Sequence, residues 1–103
     1  LHHVSADSDY LKLAEREYKG ALRLDSHNPE RYLQLGEFFF IEYKNPREAA
    51  SYYRKASILD PYNPIPRLKL SNVYSLLGEF GKAKKEELEG NRLNQLWSQI
   101  MKP

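Results

Sequence analysis

The chain repeats itself at a distance of 35 residues, and this internal repeat restricts the fold more than any other feature. Residues 14–32 read AEREYKGALRLDSHNPERY, and residues 49–67 read AASYYRKASILDPYNPIPR. The shift places Ala14 on Ala49, Tyr18 on Tyr53, Ala21 on Ala56, Asp25 on Asp60, and Asn28-Pro29 on Asn63-Pro64. After Phe39 the shift becomes 34, because the turn after Phe39, which contains Lys44-Asn45-Pro46, has one residue more than the turn after Tyr74, which contains Gly78-Glu79-Phe80. A period of this length is typical of stacked helix units.

The repeat carries signals for the ends of helices. Asn28-Pro29, Asn45-Pro46 and Asn63-Pro64 each combine an N-cap residue with proline at the first helical position. Glu48 follows Asn45 by three residues, close to a capping box, and Gly78 stands where a helix should end. These signals predict five helices, at about 8–24, 29–43, 46–59, 64–77 and 80–101. Their short loops favour antiparallel neighbours.

One part of the repeat resembles the tetratricopeptide signature. The matching residues are Tyr32, Leu35-Gly36, Phe39, Ala49, Tyr53, Ala56 and Pro61. The next unit departs from it, with Arg67, Ser71 and Glu87 where an aromatic, a glycine and an aromatic usually stand. The resemblance implies an all-α, right-handed superhelix of antiparallel helix pairs. Its parts are a half repeat over 8–28, repeats over 29–62 and 63–92, and a helix extension over 93–101. Residues 1–7, which open on Leu1-His2-His3, are interpreted as a flexible or tag-derived segment.

The same resemblance implies a concave groove that binds a peptide or protein segment. The predicted groove residues are Leu33, Gln34, Glu37, Phe40, Ile41, Leu68, Lys69, Asn72 and Ser75. For Leu33, Ile41, Leu68 and Leu76 we favour packing between repeats over ligand contact. Phe40 is the preferred ligand contact, because the run from Phe38 to Phe40 cannot be all core. A clamp for a peptide carboxylate is not expected, since only Asn72 fits it, with Lys69 near.

The predicted last helix is longer than its partner helix, so its final turns need another surface to pack on. Its apolar stripe continues through Leu93, Leu96, Trp97, Ile100 and Met101. Three interpretations stay open. The helix could cap the chain's own core, contact a repeat outside this sequence, or bind a partner, for which a symmetric homodimer is the concrete form.

The sequence contains no recognisable catalytic chemistry. It has no cysteine, phosphate-binding glycine loop, His-Glu zinc motif or nucleophile elbow, so we expect no catalytic residue, cofactor or metal. The predicted function is a non-catalytic protein-interaction scaffold. The alternatives are a helical-repeat RNA-binding module, an assembly subunit that forms homo-oligomers, and an enzyme subunit with catalysis elsewhere. A net charge of +2 and the groove residues Glu30 and Glu37 count against nucleic acid. No apolar run approaches a membrane span, and the compartment stays open with the cytoplasm favoured.

Overall fold

A computed structural model describes the backbone of residues 2–101 and the side chains of residues 8–101. In this part of the chain the fold is all-α, which confirms the predicted class. The helices are α1 (His2–Leu24), α2 (Pro29–Ile41), α3 (Pro46–Leu59), α4 (Pro64–Leu76) and α5 (Phe80–Ile100). The first begins six residues before the predicted start at residue 8, so the helical backbone covers most of the segment that we expected to be separate. The side chains of residues 1–7, 102 and 103 lie outside the described residues.

Each of the three Asn-Pro pairs begins a helix, as predicted. The side chains of Asn28 and Asn63 each accept a hydrogen bond at 3.0 Å from the backbone N–H two residues later. Asn45 accepts one at 3.1 Å from the N–H of Glu48. The reciprocal half of a capping box is missing there, because the Asn45 N–H donates to the carbonyl of Phe39 at 2.9 Å. Local sequence therefore determines where α2, α3 and α4 start.

The turns after α2 and α4 both use a left-handed residue. Gly78 has a φ of 76°, and Lys44 has a φ of 51°. After α4, the Gly78 N–H donates to Ser75 and the Glu79 N–H to Tyr74, which is the Schellman pattern. After α2, the extra residue lengthens the corresponding bond so that it joins Asn45 to Phe39. The inserted residue is thus absorbed within the turn.

The helices pack mainly against their neighbours in sequence. Contacts run in opposite directions along paired helices: Trp97 meets Tyr62, Leu68 meets Gly90, and Arg67 meets Glu86. The α4–α5 pair is therefore antiparallel, and the molecule is elongated, with extents of 53 × 33 × 23 Å. This arrangement is consistent with a helical repeat.

Small residues bring the paired helices close together. A Cβ added to Gly36 would lie 2.6 Å from Cδ1 of Tyr53, whose side chain is only 1% exposed. A Cβ on Gly90 would lie 2.6 Å from Cδ2 of Leu68. The other fully buried core side chains include Leu35, Ala49, Ala56, Leu70, Val73 and Leu93. Gly36 therefore lies against an aromatic ring, whereas Gly90 lies against a leucine.

A contact between helices also recurs at the 35-residue shift. Lys19 of α1 places its Nζ 5.7 Å from the ring centre of Phe39 in α2. Arg54 of α3 places its guanidinium carbon 6.0 Å from the ring centre of Tyr74 in α4. Lys19 plus 35 is Arg54, and Phe39 plus 35 is Tyr74. The helix α1 therefore lies on α2 much as α3 lies on α4.

Candidate binding surfaces

Two of the predicted groove residues form an ion pair that joins two repeats. The Lys69 ammonium of α4 pairs with the Glu37 carboxylate of α2. Tyr53 of α3 donates its hydroxyl to the same carboxylate at 3.4 Å, and Lys69 Nζ lies 5.9 Å from the centre of its ring. Burial, and then the neighbouring Glu37 charge, raises the pKa of the Tyr53 phenol, which stays protonated as a donor. Because the two charges neutralise each other, this part of the groove offers little net charge to a ligand.

The other predicted groove residues divide into exposed and packed positions. Ile41, Asn72 and Ser75 are exposed, and Gln34 and Leu68 are half-buried. Leu33 is buried in the core, so the structure leaves it little surface for a ligand. The preference for packing is confirmed for Leu33 and Leu68.

Two sequence expectations about this groove need correction. Ile41 and Leu76 are exposed, so the preference for packing is wrong at both positions. Phe40 is half-buried against the core cluster, in which Phe38 and Phe39 are buried, so all three rings contribute to packing. Part of the Phe40 ring stays accessible, so Phe40 as a ligand contact stays a prediction. A helix bordered by neighbours on two sides has a wider apolar face than one partner helix would require.

The end of α5 exposes a set of apolar side chains. The helix has 21 residues, whereas its partner α4 has 13, so the last turns extend beyond α4. Leu96, Trp97, Ile100 and Met101 are exposed there, and we call these four residues the end surface. Leu93 was predicted to belong to it, but it is completely buried in the chain itself. It lies one turn closer to the middle of α5, where α4 still covers the helix.

Trp97 is held in place although 44% of it is exposed. Its indole Nε1 donates to the backbone carbonyl of Tyr62, in the turn before α4, at 2.7 Å. On one side the ring borders a depression of about 350 Å³ with Pro64 and Ile65, and on the other it lines an open hollow with Ser98 and Met101. The hydrogen bond satisfies the only polar group of the indole and leaves an apolar ring face presented to solvent.

A third surface lies between α1 and α2. It shares Gln34, Glu37 and Ile41 with the predicted groove, and the sequence interpretation missed only its α1 side. It consists of two adjoining depressions of about 380 and 240 Å³ that share Tyr18 and Gln34. We call this surface the N-terminal cleft, and its main lining residues are Tyr10, Ala14, Glu17, Tyr18, Arg31, Gln34, Glu37 and Ile41. The signal was present in the sequence, because α1 matches the second helix of a repeat without its first helix.

The described residues show few features of other site classes. Among the side chains of residues 8–101, no group of three His, Cys, Asp or Glu residues is placed to hold a metal ion. Across the helices as described, none is both long and apolar enough to cross a membrane. Of the adjacent acids at 86 and 87, Glu86 pairs with Arg67 of α4 at 2.9 Å and Glu87 with Lys84 at 3.3 Å.

Comparison with models of known protein families gave no match to this chain, and neither did comparison with curated protein sequences. The tetratricopeptide resemblance therefore depends on the sequence signature and the repeated contacts described above, and assignment to that family is a proposal.

Proposed function

We propose that the protein is a non-catalytic scaffold of the tetratricopeptide type that binds a protein or peptide segment. The observation that carries this proposal is the end surface, where four large apolar side chains are exposed on the last turns of one helix. Monomeric proteins rarely expose large contiguous apolar patches, and patches of this kind mark interaction sites. The neighbouring Tyr62 and Ile65 are also exposed and extend the apolar area toward α4.

The geometry of Trp97 supports a binding role for this surface. Tryptophan is enriched among the residues that contribute most to interface energy, and a ring that is already fixed loses less entropy on binding. The bond to the Tyr62 carbonyl fixes the ring before any partner arrives. Leu96 and Ile100 lie one helical turn apart, as do Trp97 and Met101, so a partner helix could pack along the stripe.

The groove is the second place where such a segment could bind. Ile41, Asn72 and Ser75 are exposed along it, and the Glu37–Lys69 pair lies between them. This mixture of apolar, neutral polar and paired charged groups suits an extended or helical segment. It offers no run of unpaired basic residues for a phosphate backbone, which is why we prefer a protein partner to RNA.

Affinity capture with four variants tests the proposal. Ile100→Ser removes an exposed part of the end surface without opening the core, and Trp97→Ala removes its centre. Asn72→Arg blocks the groove, and Leu88→Ser is the matched control at an exposed leucine elsewhere on α5. We expect a partner that Ile100→Ser and Trp97→Ala both lose and that Leu88→Ser retains.

Sedimentation of the isolated protein shows whether that partner is a second copy. A dimer that Ile100→Ser dissociates would identify the homodimer. A partner retained by all these variants would exclude the end surface and the groove as its binding site. Capture of no partner by the unchanged protein, together with sedimentation as a monomer, would contradict the proposed function.

A further inference from the structure

The N-terminal cleft has an occupied counterpart within the same molecule. The helix α1 lies on α2 as α3 lies on α4, because the contact of Lys19 with Phe39 recurs as that of Arg54 with Tyr74. At the α3–α4 pair, α2 fills the space beside α3 and reaches α4 through the ion pair of Glu37 with Lys69. At the α1–α2 pair, no helix among residues 2–101 fills the equivalent space beside α1. The chain therefore shows how an occupant of the cleft would sit.

Equivalent residues are more exposed in the N-terminal cleft than beneath α2, as expected for an empty site compared with a filled one. Tyr53 is 1% exposed beneath α2, whereas Tyr18, its counterpart in the cleft, is 38% exposed. Ala49 and Ala56 are completely buried, and their counterparts Ala14 and Ala21 are only half-buried. Two alanines two turns apart on either side of a tyrosine let another helix approach closely, and here nothing in the described chain does so.

The occupied site also indicates which residue of an occupant lies over the tyrosine. The residue of α2 above Tyr53 is Gly36, where even a methyl group would overlap the ring. An occupant of the N-terminal cleft should therefore place a glycine or an alanine over Tyr18. Because Tyr18 is tilted against Phe38, with ring centres 5.3 Å apart, its ring is held in position to receive that residue.

A residue on the α1 side carries a charge that its counterpart in the filled site does not. In the filled site, Tyr52 of α3 stacks on Phe39 of α2 with ring centres 5.4 Å apart. The counterpart of Tyr52 in the cleft is Glu17, an exposed carboxylate. Among the side chains of residues 8–101, Glu17 has no basic group within ion-pair distance, and Glu42 at the far end of the cleft has none either. The position three residues after the small residue should accordingly be basic, because it would face a carboxylate and not an aromatic ring.

We propose that the N-terminal cleft binds an amphipathic helix of a partner protein, antiparallel to α1, with a glycine or alanine over Tyr18 and a lysine or arginine three residues later against Glu17. This inference rests on the proposed scaffold function and assigns it a second surface and a defined ligand chemistry. The length of the cleft, from Tyr10 to Ala21, corresponds to about three helical turns at 1.5 Å per residue. Arg31 also lines the cleft but pairs with Asp25 at 3.6 Å, whereas Glu17 has no ion pair among the side chains of residues 8–101 and favours a basic occupant over a neutral one.

A peptide with the sequence of residues 28–44, which includes α2, supplies the probe. In the test peptide Phe39 is replaced by Arg, and a second peptide carries Gly36→Leu in addition. Fluorescence anisotropy with the whole chain measures binding. We expect the arginine peptide to bind about fivefold more tightly than the unchanged peptide, as one partly exposed ion pair allows. The leucine peptide should lose binding because its side chain would overlap Tyr18.

Charge reversal assigns the contact to the cleft. Glu17→Lys should abolish the preference for the arginine peptide. The variant should instead prefer a peptide with Glu in place of Phe39. Glu87→Lys, an exposed carboxylate on α5, is the matched control and should change neither result. Equal binding of all peptides, or binding insensitive to Glu17→Lys, would overturn the proposal. Dimerisation of the chain without peptide that Glu17→Lys abolishes would overturn the choice of occupant.

Failure of this proposal can be told apart from failure of the proposed function. Trp97→Ala should leave peptide binding unchanged, because the end surface is at the other end of the array. A partner lost with Trp97→Ala, combined with no specific peptide binding, would retain the scaffold function and reject only the cleft.

Discussion

The α2–α3 pair and the α4–α5 pair follow the same repeat register but are held together by different contacts. In the first pair, Gly36 lies under the buried ring of Tyr53. In the second pair, Ser71 and Glu87 stand at the equivalent positions, with the serine buried and the glutamate exposed. The counterparts of Tyr32 and Tyr52 are Arg67 and Glu86, which form an ion pair at 2.9 Å.

The difference shows that the repeat specifies the positions of the helices more strictly than the side-chain contacts between them. Both pairs keep a close approach at a glycine, at Gly36 in one and at Gly90 against Leu68 in the other. The first pair adds an aromatic core, whose burial contributes in proportion to apolar area. The second adds a half-buried ion pair, which contributes less because both charges lose water. We therefore expect the first pair to be the more stable unit.

The largest expected effect compares Tyr53→Ala with Glu87→Ala. Removing the buried ring should lower the free energy of unfolding by about 3–5 kcal/mol, because a cavity is left in the core. Removing the exposed carboxylate at the equivalent position should change it by less than about 0.5 kcal/mol. Urea unfolding followed by circular dichroism measures both. Similar losses of unfolding free energy in the two variants would mean that the two helix pairs are not stabilised by different contacts.

A smaller effect is expected from Glu86→Gln, which removes the charge from the ion pair of the second helix pair. Arg67 donates to Glu86 from a partly buried position, so the variant should cost about 1 kcal/mol of unfolding free energy. Raising the salt concentration should reduce this difference. The matched control is Glu89→Gln, which removes an exposed pair with Arg92 on the same helix and should have little effect. Equal losses of unfolding free energy in the two variants would mean that the ion pair between helices stabilises the fold no more than the exposed pair within α5.

The smallest effect concerns the turns that close α2 and α4. Lys44 holds a left-handed conformation that Gly78 adopts without strain. Lys44→Gly should therefore raise the thermal midpoint, with a gain of about 0.5 kcal/mol after the greater chain entropy of glycine is counted. Gly78→Ala should lower the midpoint, and thermal unfolding of both variants checks the pair. A lower midpoint for Lys44→Gly would show that the lysine side chain stabilises the longer turn.

Sequence features predicted the helix boundaries well wherever a local signal exists. The Asn-Pro pairs placed the starts of α2, α3 and α4 at the observed residues, and Gly78 marked the end of α4. The start of α1 was predicted less well, because no cap residue precedes it in the sequence. The α2 end at Ile41, two residues before the prediction, also lacks a glycine, and Lys44 takes the left-handed position instead.

The candidate surfaces were only partly predictable. An apolar stripe indicates that a helix face needs a partner, but not how far along the helix that partner extends. Leu93 and Leu96 belong to the same stripe, yet the first is buried by the chain and the second is exposed. Likewise Leu33 and Ile41 share one helix, and only the former is covered. These outcomes depend on where neighbouring helices end, which periodicity does not encode.

The sequence by itself determined the number of helices, the starts of α2, α3 and α4, and the 35-residue register, because caps, prolines and small residues act through local backbone geometry and spacing. Only the tertiary structure decided which of the predicted residues stay accessible. It joined Glu37 to Lys69, fixed Trp97 on the Tyr62 carbonyl and left a cleft beside α1. The physical reason is that exposure is a property of pairs of helices, set by their relative lengths and by whether a third helix covers them, and not of any one segment.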